Sequence, residues 1–240
     1  MLSPIASLRW TAASAAAAGR RPPDFAPIAV DQVPAPLSSQ TVWDAWPLLT
    51  VDGAIYRETD RTQLWFALGA PRHSDPDARH GLARIHLLRS SSGDFAALGP
   101  AFPEGFTPGS REWSGSASID PVGCITLRFT AAGRRGEPTL SFEQRMFESR
   151  GLLTPDGRIS GWTSPREILS ADGTIYRRAD QAEGEIGKIK AFRDPEFFRD
   201  PGGTGDFLTF CIEATHHRAA YKAAADGGDT DGKKALAALQ

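Results

Sequence analysis

From about residue 41 onward, apolar residues recur in short runs separated by turn-forming pairs. The runs span 64–68, 83–88, 124–130, 139–146 and 207–212. Several alternate with period two. Ile125, Leu127 and Phe129 fall on one side of a strand, with Thr126 and Arg128 on the other; Leu208, Phe210 and Ile212 oppose Thr209, Cys211 and Glu213. Between the runs lie Asp52-Gly53, Ser92-Gly93, Asp156-Gly157, Asp172-Gly173 and Gly202-Gly203. Such pairs supply the positive φ that tight hairpins demand. Many short strands joined by such turns predict an all-β fold.

The pattern is different at both ends. Residues 1–40 are Pro-rich in places and lack periodicity, which predicts an irregular N-terminal arm. Residues 41–215 form the β region. In residues 216–240, a helix-prone stretch at 218–225 meets the breaker 226–232, and one or two helical turns are expected after it. One internal echo stands out: Asp52-Gly53-Ala54-Ile55-Tyr56-Arg57 with Asp60 against Asp172-Gly173-Thr174-Ile175-Tyr176-Arg177 with Asp180. It fits blades of a radially repeated sheet, and equally two similar hairpins in one sandwich.

Composition narrows the function classes. With 240 residues, 40% of them apolar, the chain is long enough to bury a substantial core as one large or two small domains. A formal net charge of −2 offers no basic face for nucleic acid. No stretch approaches the roughly 20 apolar residues of a membrane span. The Ala-rich 12–18 stretch lacks a charged start and a continuous apolar core, so no conventional signal peptide is read there. Cys124 and Cys211 are too few and too far apart for a disulfide framework or a zinc site, and are expected as buried free thiols. His73, His80 and His86 show no ligand spacing and are expected as surface or core residues. No metal is implied.

Three segments carry candidate chemistry. Trp43-Asp44-Ala45-Trp46-Pro47 brackets a carboxylate with indoles, which suits a sugar whose apolar face stacks on a ring; a core tryptophan pair with a turn aspartate is the other reading. In a regular strand Trp43 and Ala45 would face one way, Asp44 and Trp46 the other. Arg111-Glu112-Trp113-Ser114-Gly115 is polar with one aromatic, and follows a Pro/Gly-rich loop of the kind that gathers binding residues. Phe192-Arg193-Asp194-Pro195 sets an arginine beside an aspartate, which would keep the carboxylate ionised. Its near-copy Phe198-Arg199-Asp200-Pro201 runs into Gly202-Gly203 and reads as a turn. Glu213 is a fourth polar candidate, or an edge-strand residue in solvent.

Taken in order, Val42-Trp43-Asp44-Ala45-Trp46-Pro47-Leu48, Glu112-Trp113-Ser114-Gly115 and Ala191-Phe192-Arg193-Asp194-Pro195 resemble glycoside hydrolase family 68, the levansucrases, inulosucrases and related β-fructofuranosidases. Gln144-Arg145 and Ala171-Asp172-Gly173 are lesser matches. The resemblance implies a five-bladed β-propeller, here partial, around a funnel-shaped pocket, with sucrose and fructan or sugar acceptors as partners and no cofactor. It implies Asp44 as nucleophile, Asp194 as the stabiliser of fructosyl hydroxyls, and Trp43, Trp113, Ser114 and Arg193 as sucrose-pocket residues. Glu213 aligns with a family glutamate, though its neighbours differ. The family places its acid/base on a later glutamate, and no Glu follows Glu213. A truncated or frameshifted copy with a non-family tail and weak or no turnover is therefore expected. A separately encoded C-terminal half and a non-catalytic fructoside-binding remnant are the other expectations. By resemblance the location is extracellular or periplasmic, or cytoplasmic for a non-exported remnant.

Overall fold

The computed structural model describes residues 36–37, 39–91, 93–179, 191–200, 202–203 and 205–212. Most of the predicted arm, the predicted C-terminal helix and Glu213 lie outside the described residues. The regular structure described is β-strand, with a 3-10 turn at Pro76–Gly81 between the second and third strands.

The strands form blades. β1 (Gln40–Thr50), β2 (Gln63–Pro71), β3 (Arg84–Ser91) and β4 (Asp94–Pro100) make one antiparallel meander. β5 (Arg111–Ile119), β6 (Cys124–Ala132) and β7 (Gln144–Leu153) begin a second, whose outer edge is divided between β8 (Ile159–Ser160) and β9 (Arg166–Ser170), both paired with β7. β10 (Phe192–Arg199) and β11 (Asp206–Ile212) are the opening hairpin of a third. The innermost strands β1 and β5 run parallel and pair over Leu48–Thr50 with Ala117–Ile119. These units are blades of a β-propeller-type fold.

Alternation explains why these segments pair and pack. Ile125, Leu127 and Phe129 are fully buried, as their shared side predicts. They meet Leu48, Leu64, Phe66 and Ile85 of the first blade in one core, closed by Phe102 and Phe147. Each fully buried side chain of this size contributes about 1.5–3 kcal/mol, so the seam between blades is strongly held. Gly53, Gly93, Gly157, Gly173 and Gly203 all take positive φ in the predicted turns.

Polar side chains complete the blade contacts. The buried Glu112 accepts the Ile85 amide at 2.9 Å and the Thr107 hydroxyl at 3.1 Å, tying β5 to β3. Gln144 accepts the Phe192 amide (3.1 Å), Thr130 the Asp194 amide (3.0 Å) and Ser116 the Phe197 amide (3.1 Å). The free backbone donors of β10 are thus met by side chains of the second blade rather than by a ladder.

Several expectations change. The run at 139–146 is a strand only from Gln144, because the residues before it serve the buried Arg111, which donates to the Ser141 carbonyl and lies over the Phe142 ring at 5.4 Å. The segment Arg111–Ile119, which follows the Pro/Gly-rich loop, is the innermost strand of the second blade. The echo does not mark equivalent blade positions: Asp52 follows the innermost strand of the first blade, Asp172 the outermost segment of the second. Both cysteines are free, but Cys124 is half-buried and Cys211 exposed on the last described strand.

Candidate active site

Each of the three motifs interrupts its strand at its candidate residue. The β1–β2 register shifts between Trp43 and Trp46, the β5–β6 register between Trp113 and Gly115, and the β10–β11 register between Arg193 and Glu196. Asp44, Ser114 and Asp194 sit in these bulges. A bulge bends the strand and re-aims a side chain. Among the described residues three non-glycines have positive φ; two are Asp44 (+46°) and Asp194 (+60°). Such backbone costs about 1–3 kcal/mol and concentrates at functional sites.

The bulge overturns the regular-strand reading of the first motif. Trp43 and Asp44 line the same pocket instead of facing opposite ways. Trp46 turns into the core and stacks on Phe66, with centroids 5.9 Å apart, so it does not flank the carboxylate. The second pocket indole comes from the next blade, as Trp113.

The pocket has a volume of about 730 Å³, within the usual range for small-molecule sites. Asp44, Ser114, Arg193 and Asp194 form its polar side; Trp43, Trp113 and Phe142 its aromatic wall; Leu82 and Leu140 are exposed apolar residues. The sequence-predicted residues Trp43, Asp44, Trp113, Ser114, Arg193 and Asp194 are therefore brought together from three blades. A larger groove of about 1050 Å³ lies at the Thr50 end of β1, beside Glu58, Asp60 and Arg89, and contains none of them.

Ser114 links the two carboxylates. Its hydroxyl donates to Asp44 Oδ2 at 3.1 Å, and it also lies within hydrogen-bonding reach of Asp194. Arg193 Nε is 3.5 Å from Asp194 Oδ2, and its guanidinium lies 5.7 Å over the Trp113 ring. Burial nevertheless raises the Asp194 carboxyl above the ordinary aspartate range; Arg193 opposes this, and the negative charge of Asp44 adds to it. The expectation that Arg193 would dominate is corrected here: the guanidinium acts in the expected direction, but desolvation outweighs it.

Sequence reasoning missed the wall supplied by the loop between β2 and β3. His73, Asp77, Ala78, His80 and Gly81 all line the pocket. His80 and His73 are thus site residues, whereas His86 is buried in β3. The available signal was local: Asp75 caps a short turn by accepting the Asp77 amide at 2.9 Å, with Pro76 at its start.

The sequence matches the model of the levansucrase/invertase family over residues 6–234, which includes the segments on either side of the β region. It is 28% identical to a levansucrase of Rahnella aquatilis over 220 residues, covering 84% of this chain and 50% of that protein. Among solved structures, an inulosucrase from Halalkalicoccus jeotgali bound to kestose aligns with a TM-score of 0.66 and 35% identity, over 75% of this chain and 45% of that one. A levansucrase of Bacillus subtilis shares the fold, with a TM-score of 0.63 at 20% identity, over 79% of this chain and 46% of that one. The chain spans about half the length of the relatives it matches. With the family matched across nearly its whole length, the chain belongs to glycoside hydrolase family 68, the levansucrases and invertases.

Proposed function

We propose that this chain carries the fructosyl-binding side of a retaining fructosyltransferase acting on sucrose. The observation that carries the reading is the convergence of two left-handed aspartates, Asp44 and Asp194, on one pocket between the indoles of Trp43 and Trp113. In this reading a furanose ring lies against the indoles, and Asp44 attacks its anomeric carbon to form a covalent fructosyl-aspartate. Ser114, donating to Asp44 Oδ2, holds one oxygen so that the other faces the sugar. Asp194 accepts from fructosyl hydroxyls, a role its Arg193 partner supports. Release to water gives hydrolysis; release to a sugar hydroxyl gives transfer.

Departure of glucose needs a proton from a second group. In this reading Asp194 acts as stabiliser, so that proton has to come from a group other than the sequence-predicted residues of this pocket. We therefore expect the 240-residue polypeptide to bind sucrose and to turn it over slowly or not at all. The five-bladed ring belongs to the same proposal: further strands, on this chain or a separate one, would continue the third blade beyond β11, where Phe207 and Ile212 are exposed. The test is calorimetric titration of the chain and its Asp44→Asn and Trp113→Ala variants with sucrose, alongside a glucose-release assay. Binding that Trp113→Ala weakens supports the reading, and no binding by the unmodified chain refutes it. Binding without glucose release is the expected pattern; rapid release would overturn the expectation of weak turnover.

A further inference from the structure

His80 stands where the two pocket indoles, from different blades, come within reach of one side chain. Its ring is edge-on to Trp43, with centroids 5.9 Å apart and planes at 77°, and to Trp113, at 6.5 Å and 78°. Its backbone carbonyl accepts the Trp113 Nε1–H at 3.1 Å. The preceding residue, Arg79, lays its guanidinium 5.2 Å over the Trp43 ring. Two consecutive residues of a capped 3-10 turn thus hold both indoles: Trp43 by a guanidinium over its ring and a perpendicular imidazole, Trp113 by the same imidazole and through the only polar atom of its side chain. Edge-on aromatic pairs have a preferred geometry, so the imidazole acts as a spacer between the rings.

We propose that His80 is a positioning residue that fixes the separation and tilt of Trp43 and Trp113, and through them the width of the sugar-binding slot. The inference rests on the proposed fructosyl site for its ligand, but not for its geometry. The spacer is neutral imidazole. Partial burial holds His80 below the ordinary histidine range; Arg79 on its own turn and Arg193 on β10 push the same way, while Asp77 on the turn and Asp44 on β1 oppose them. His73 and Asp194 line the same pocket. Protonation brings a charge that must be hydrated between two indoles, and the slot loosens as pH falls below the ordinary histidine value.

The experiment uses the full chain labelled with 5-fluorotryptophan, its fluorine resonances assigned with Trp43→Phe and Trp113→Phe. Spectra are followed over pH in the wild type, His80→Ala and His80→Phe, and each protein is titrated with sucrose. In the wild type, the Trp43 and Trp113 resonances are expected to move together with one midpoint below about pH 6.5, the ordinary histidine value. His80→Ala is expected to shift both resonances and to weaken sucrose binding about tenfold, the size of two edge-on aromatic contacts. His80→Phe keeps a ring and cannot titrate, so it is expected to restore affinity and abolish the pH step. The proposal is overturned if the two resonances titrate separately, if His80→Phe keeps the step, or if His80→Ala leaves both resonances in place. If His80→Ala does not fold, the wild-type titration and His80→Phe decide. Should the wild type bind no sucrose while the resonances behave as described, the substrate reading fails and the positioning role stands.

Discussion

Gly115 directly follows Ser114 in the bulge of β5 and lies opposite Phe129 of β6. A methyl group at this position would overlap the Arg128 carbonyl oxygen and sit 2.8 Å from both the Arg128 carbonyl carbon and Phe129 Cα. Carbon atoms prefer about 3.5–4.0 Å, so Gly115→Ala must push the strands apart by roughly 0.7–1.2 Å to relieve the carbon contacts alone, and further to clear the carbonyl oxygen. The obstructing atoms are backbone, and β6 is held on its other side by β7 along its whole length. No side-chain rotation relieves the clash. Overpacking of a rigid interior typically costs about 1–3 kcal/mol, and the absence of a flexible neighbour puts this case near about 3 kcal/mol. For a domain of this size each kcal/mol lowers the melting temperature by about 2–4 °C, giving a drop of roughly 6–12 °C. The assay is thermal unfolding followed by circular dichroism, with Gly93→Ala as control. Gly93 has a φ of +95°, but a methyl group there would meet no atom within 4 Å. Only its backbone conformation is penalised, by about 1–2 kcal/mol. A Gly115→Ala protein that melts within about 2 °C of wild type, or above Gly93→Ala, would refute the reasoning. In any Gly115→Ala protein that folds, Ser114 is displaced from Asp44, and sucrose binding should weaken.

Further outcomes are expected elsewhere. Asp44→Asn should keep the fold, because asparagine tolerates the left-handed backbone, and should lower the Asp194 pKa by removing a neighbouring negative charge; carbon-13 NMR titration of the Asp194 carboxyl reads this, and an unchanged midpoint would show that the two carboxylates do not interact. Glu112→Ala should destabilise by about 2–4 kcal/mol, since it leaves the buried Ile85 amide and Thr107 hydroxyl without their acceptor and opens a cavity between them; urea unfolding checks it. His86 is buried and held below the ordinary histidine range by desolvation. Its unfolded form therefore binds a proton that the folded form refuses, so stability should fall as pH drops below about 6.5, at no more than about 1.4 kcal/mol per pH unit from this residue. His86→Phe should remove that slope, visible as a smaller difference between urea midpoints measured about one pH unit above and one below the ordinary histidine value.

Period-two alternation determined where most strands run, because successive side chains of an extended backbone must point to opposite faces whatever surrounds them. Thus Ile125, Leu127 and Phe129 were legible as one core face, and the glycine pairs as hairpin turns. The chemistry-bearing residues of Trp43-Asp44, Trp113-Ser114 and Arg193-Asp194 were legible too, as motif residues. Tertiary structure decided how they meet. The bulge that turns Asp44 to the side of Trp43, and Trp46 into the core against Phe66, lies in the pairing of β1 with β2, and a single-strand pattern does not contain that partner. Asp194 is held by the Thr130 hydroxyl, 64 positions earlier, and its carboxyl is raised by burial that only the packed blades create. Beyond the capped turn that carries it, His80 had no local mark of a place in the pocket. Its role comes from the two indoles it touches, and their meeting depends on two blades packing side by side: periodicity is a property of the covalent chain, whereas a pocket is a property of its contacts.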